Sequence, residues 1–264
     1  TGAANHTHPP GTAPHDHSAG AAARSGTGGA AAIGGLSLSA EGYTLAPVST
    51  TWTAGQSQAL RYRILGPDNQ PVTSFAVVHE RPMHLVVVRR DLSGYRHLHP
   101  VMAADGTWTV PLRLPAPGVW RAYADFAVAA DGRRSAMTLG TDLVVAGDYR
   151  PRPLPAPARE AGADGLTVAY EGTPQIGATQ PLLFRVYRGG SPVPDLQPYL
   201  GAYGHLVALR DGDLGYLHVH PEPQLAGGAV KFWLAAPGPG RYRLFFDVQV
   251  GGAVHTAEFT VSVP

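Results

Sequence analysis

The chain contains no cysteine. Disulfides, thiolate metal sites and cysteine nucleophiles are therefore excluded, and so is a blue-copper centre, which needs a thiolate ligand. Charge is sparse and balanced: 20 Lys and Arg against 19 Asp and Glu give a net charge of +1. Without a basic stripe, nucleic acid is not an expected partner. No apolar run reaches the length of a membrane-spanning helix, and no long amphipathic helical period appears. A G-x-S-x-G nucleophile turn is also missing. Residue 1 is Thr rather than Met, which is compatible with a signal peptide or membrane anchor upstream.

Gly and Pro, in contrast, are abundant, at 33 and 25 residues. They punctuate short apolar segments, a pattern of strands joined by turns. Residues 1–35 are mostly Gly, Ala, Thr, Pro and His and are expected to be a disordered tail. His6, His8, His15 and His17 could give that tail weak metal capture. From Leu36 the texture changes. Strands are expected over 42–46, 56–65, 84–90, 95–99, 107–114, 119–128 and 135–145, a count and spacing that read as a β-sandwich. Alternate prolines at 151, 153, 155 and 157 then make 147–160 a stiff, extended linker. Residues 161–264 repeat the pattern of 36–146. The expected fold is thus all-β, with two tandem sandwiches of immunoglobulin-like or cupredoxin-like kind behind the tail, the linker keeping them as separate binding units.

The repeat carries chemistry. His84, His97, His99 and Pro100 form H-x12-H-x-H-P, and His205, His218, His220 and Pro221 form it again. Side chains alternate along a strand, so His97 and His99 share a face. In a hairpin closed near 91–94, His84 falls on that same face whether the register is tight or wide. The parity is identical for His205, His218 and His220. Three convergent imidazoles suit copper or zinc, and one such site per domain is expected. Further donors lie near these trios. His79, Glu80 and Met83 precede His84; a thioether at Met83 would favour Cu(I), but packing in the core or at an edge is the favoured reading of that residue. Asp125 and Asp247 sit inside apolar strands at equivalent places, where a carboxylate could ligate or orient a ring. His255 falls near the position of Met137 and could approach the second site or lie on the surface. Tyr95 and Tyr216 read as packing residues.

These motifs resemble a family of exported or membrane-anchored actinobacterial proteins loosely described as heavy-metal-associated. Members show H-E-x-x-[ML]-H-L-x-V-V, then D-L, H-x-H-P and a strand ending in D-F. Here those are His79-Glu80, Met83-His84-Leu85, Asp91-Leu92, His97-Leu98-His99-Pro100 and Asp125-Phe126. The second half departs at Val248, where Phe would be usual. The resemblance implies two immunoglobulin-like sandwiches outside the cytoplasm and says little about mechanism.

Three functions remain open. The first is an extracytoplasmic metal-binding protein, for copper or alternatively zinc, acting as buffer, carrier or sensor, with metal ions and an unidentified metal-transfer protein as partners. The second is a three-histidine metalloenzyme, for which Glu80 is the one general-base candidate; no catalytic residue is assigned, and the reading leans away from an enzyme. The third is a structural or adhesive tandem sandwich without metal.

Overall fold

The computed structural model describes residues 33–130 and 132–264. The tail histidines at 6, 8, 15 and 17 lie outside the described residues. The fold is all-β: two tandem sandwiches of immunoglobulin-like kind, with no helix among the described residues. Among the described residues no helix is long and apolar enough to cross a membrane.

In the first sandwich one sheet runs in the order Ser39–Ala40, Tyr43–Pro47, Ser57–Leu65, Trp108–Arg113, Val101–Met102. The facing sheet runs Thr51–Trp52, Arg133–Val145, Gly118–Ala130, Met83–Arg89, Arg96–Leu98. The second sandwich repeats this plan. Glu160–Ala163, Leu166–Glu171, Gln180–Arg188, Val230–Leu234 and His220–Pro221 form one sheet, and Tyr216–Leu217, His205–Arg210, Gly240–Val250 and Ala253–Val263 the other. Ile33–Gly34 adds a strand to the edge of that last sheet, pairing Ile33 with Leu217 and Gly34 with Tyr216. A short strand therefore stands at the end of the stretch expected to lack order. Its backbone groups find partners on a sheet edge in the second sandwich.

Alternation explains the two inner cores. Ser57–Leu65 buries every second residue, including Leu60, Tyr62 and Ile64. Met83–Arg89 behaves differently and is buried throughout. Met83, Leu85 and Val87 face the first core, while Val86 and Val88 join Val207, Leu209, Tyr95, Tyr123, Tyr216 and Phe245 in a third cluster. That cluster lies between the domains. A strand covered on both faces reads as a continuous apolar run, which accounts for Leu85-Val86-Val87-Val88 and for Leu206-Val207-Ala208-Leu209.

The two domains accordingly pack sheet against sheet instead of hanging from a spacer. Equivalent residues meet across the junction: Tyr95 stacks on Phe245 at 4.2 Å between ring centroids, and Tyr123 lies against Tyr216 at 5.2 Å. The Tyr123 hydroxyl donates to the Leu214 carbonyl at 2.5 Å. Fully burying one Val, Leu or Phe is worth about 1.5–3 kcal/mol, so a cluster of this size holds the domains as one unit. The proline-rich segment is itself tied down. Leu154 packs on the third cluster, the Arg152 amide donates to Asp91 at 2.7 Å, and the Arg89 guanidinium to the Arg150 carbonyl at 3.1 Å. The expectation of separate binding units is corrected by this apolar junction.

Candidate metal centre

The site grows from the pairing of the two central strands in each junction-facing sheet. Register places Asp125 opposite His84 and Asp247 opposite His205. The hairpin pairs Val86 with His97 and Leu85 with Leu98, the tighter of the two registers considered, so His84, His97 and His99 share the face turned toward the second domain. His205 shares a face with Val207, turned toward the first. The rings of His84 and His205 stack at 5.6 Å with 2° between planes. His97 stacks on His205 at 4.4 Å, and His99 stands edge-on to His97 at 4.8 Å.

One donor atom each from His84, His97 and His205 can be chosen so that all lie within 4.8 Å of one another. This trio mixes the domains, whereas the expected grouping was one trio per domain. The second hairpin explains the difference. Its ladder with His205–Arg210 ends at Leu217, and the chain then joins the opposite sheet, where His220 pairs with Trp233. His218 is exposed at that crossover and His220 half-buried. Neither joins the trio.

Hydrogen bonding places the His84 proton, and places the His97 proton if Asp247 is ionised. His84 Nε2 lies 2.9 Å from the Val78 carbonyl, which can only accept, so Nε2 carries the proton. His97 Nδ1 lies 2.9 Å from Asp247 Oδ2; toward an ionised carboxylate it too must donate. The neutral rings then present His84 Nδ1 and His97 Nε2 to each other as bare lone pairs, 3.1 Å apart. Each neutral imidazole has one donor and one acceptor nitrogen, so this contact needs a cation or an extra proton. Among the described residues, His205 Nδ1 and His99 Nε2 are buried with no partner.

Protonation is disfavoured here. Burial is the leading cause that lowers His84 to about 4, His97 to about 3 and His99 to about 4, and it holds His205 well below its ordinary value. For His97 the loss of hydration outweighs the adjacent carboxylate. Burial likewise raises Asp247, with His205 and the Thr256 and Tyr95 hydroxyls pulling the other way.

Asp247 orients the site. It accepts from His97, from the Tyr95 hydroxyl at 3.1 Å and from the Thr256 hydroxyl at 2.6 Å. Tyr95, expected only to pack, thus reaches across the junction; its spacing of two from His97 put it on the same strand face. Asp125 accepts from Thr138 at 3.0 Å, and burial raises its carboxyl to about 6. His79 sits 6.1 Å from both the His84 and His205 rings. It occupies a tight turn in which His79 and Glu80 both have positive φ, 47° and 62°, a conformation that normally calls for Asn-Gly. Leu200 and Gly201 form the matching turn. A Cβ on Gly201 would lie 4.0 Å from Glu80 Cγ, so the turns face each other.

Two expected donors are placed elsewhere. Met83 is fully buried in the first core, because alternation sends it to the side of its strand opposite His84. The thioether cannot soften the site from there. The His255 ring bonds Asp164 at 3.0 Å and the Val250 carbonyl at 3.3 Å, on the face of its strand opposite Thr256, whose hydroxyl bonds Asp247.

A family model described as a domain of unknown function, DUF8832, matches residues 38–142 and again 161–264. The chain belongs to that family and carries its domain twice. No protein with a curated description matches the sequence. Among solved structures, the chain is similar to FdeC, an Escherichia coli adhesin, with 14% identity over 86% of this chain and a TM-score of 0.28. It is similar to invasin, a bacterial integrin-binding protein, with 15% identity over 86% of this chain and a TM-score of 0.27. A putative membrane-anchored protein from Corynebacterium diphtheriae matches at 9% identity over 85% of this chain, with a TM-score of 0.26. The chain spans 66% of the FdeC chain, 41% of the invasin chain and 57% of the third.

Proposed function

We propose that this chain is a metal-binding protein that holds one transition-metal ion between its two sandwiches, through His84 Nδ1, His97 Nε2 and a nitrogen of His205. The observation that carries this reading is the approach of two ring nitrogens, His84 Nδ1 and His97 Nε2, to 3.1 Å, with His84 Nε2 committed to the Val78 carbonyl. Two nitrogens about 2.0–2.1 Å from a tetrahedral ion stand roughly 3.3 Å apart, so a cation would turn this contact into two bonds. His99 is the nearest further imidazole, and Asp247 would fix the His97 ring from behind, as carboxylates do for metal-bound histidine. When bound, the ion supplies positive charge and Lewis acidity at this junction.

Copper is the favoured ion and zinc the competitor. Imidazole accepts both, and nitrogen sites bind divalent copper more tightly than divalent zinc. Burial of the rings suits retention, as in a buffer or sensor. An extracytoplasmic setting is proposed on the resemblance of the histidine hairpins to exported proteins. A rigid tandem module with a structural or adhesive role is a second reading, favoured by the large apolar junction. Elemental analysis of untagged protein after copper or zinc loading and desalting tests the choice. One equivalent per chain, lost in His205→Ala, supports the interdomain site. Two equivalents would restore one site per domain, and none would leave the structural reading.

A further inference from the structure

A cavity of about 490 Å³ opens at the end of the first sandwich, where the chain crosses from Arg96–Leu98 in one sheet to Val101–Met102 in the other. Ligand cavities commonly fall between roughly 300 and 1,000 Å³. Part of its wall is apolar, with Phe75, Met83, Pro100 and Trp108 among the residues, and Phe75 meets Trp108 edge-on at 5.1 Å. Polar groups interrupt it: Thr73, Ser74, Arg81, His99 and the Trp108 indole nitrogen. His99 and Trp108 each have a buried ring nitrogen with no partner among the described residues. Arg81 also lines the cavity, and among the described residues its guanidinium has no carboxylate partner. No Asp or Glu lines it.

A guanidinium is built to receive a carboxylate in two parallel bonds. We propose that this cavity binds a small organic monocarboxylate with an apolar body, its carboxylate on Arg81 and its body against Phe75 and Trp108. His99 belongs both to this wall and to the imidazole cluster, so the ligand would lie beside the metal centre. The inference rests on the metal reading for that last point alone.

Benzoate is a suitable probe, with benzyl alcohol as its uncharged counterpart. Both are titrated into chelator-treated full chain while the Trp108 indole N–H resonance is followed by NMR. Benzoate is expected to shift that resonance saturably. Benzyl alcohol, and benzoate on Arg81→Gln, are expected to bind at least about tenfold more weakly, the size of one lost bond to a charged group. Benzoate binding should survive His205→Ala, which removes a metal donor and leaves the cavity walls intact. No saturable shift, equal binding to Arg81→Gln, or loss in His205→Ala each overturns the proposal. None of these readouts depends on metal, so the cavity and the metal centre can fail separately.

Discussion

His97 of the first sandwich and Asp247 of the second meet at 2.9 Å, Nδ1 to Oδ2, inside a junction where both side chains are almost fully buried. This contact fixes the tautomer of His97 and aims its Nε2 at His84. Asp247→Asn should keep the shape and weaken the anchor, lowering metal affinity about 10–100-fold. Competition against a chromophoric chelator measures this. Affinity equal to that of the unmodified chain would show that Asp247 has no hold on the site.

Metal should stabilise the molecule as one unit. A ligand at a hundred times its dissociation constant adds about 2.7 kcal/mol to the folded state. Calorimetry should show a single transition that moves upward with copper or zinc. The shift should vanish in His97→Ala and His205→Ala and persist in His218→Ala, because His218 lies outside the cluster. Equal loss in His218→Ala would point to a second site.

Much of this was legible in the sequence. Turn signals and the repeated H-x12-H-x-H-P gave two sandwiches and the shared face of His84, His97 and His99. The parity argument worked because strand alternation is local. What escaped was non-local: nothing in the spacing of His205, His218 and His220 shows that the ladder stops at Leu217. The junction did leave a trace. Val86 and Val88 sit where a strand with one solvated face would carry polar residues, as do Val207 and Leu209. Met83 follows the same local rule: its neighbour His84 fixes it to the opposite face, toward the core, so its packing reading holds and the thioether reading does not.

Acid should destabilise the metal-free protein. His84 and His99 are held at about 4 and His97 at about 3, against 6.5 when unfolded. Between these values the unfolded chain binds protons that the native state refuses, so stability falls as pH drops from 6.5 toward 4 and is flat with respect to these groups above 6.5. Asp125, raised to about 6, works in the opposite direction, losing its contribution as pH rises through 6. Asp247 is also raised. His79, His205 and His218 are lowered like the other rings, so the imidazoles prevail. Urea midpoints at pH 7.5, 6.0 and 4.5 should decline in that order. A constant midpoint would mean that the rings are not held neutral.

The strand at Ile33–Gly34 should act as a clasp over both domains. Its backbone pairs with the second sandwich, while the Gly35 carbonyl accepts from the Arg121 guanidinium of the first at 2.6 and 3.1 Å. Gly35 has φ +73°, and a Cβ there would lie 2.4 Å from Tyr123 Cδ1. Tyr123 is itself fixed by the Leu214 carbonyl across the junction, so it cannot yield cheaply. Gly165 supplies a control, with φ +82° and nothing within 4 Å of an added Cβ. Gly165→Ala should cost only backbone strain, on the order of 1 kcal/mol. Gly35→Ala should cost distinctly more, because a ring in the interdomain cluster must move. Equal losses in denaturant midpoint for the two variants would mean that the clasp bears no load, and that the sandwiches hold together through the Tyr95, Phe245, Tyr123 and Tyr216 contacts alone.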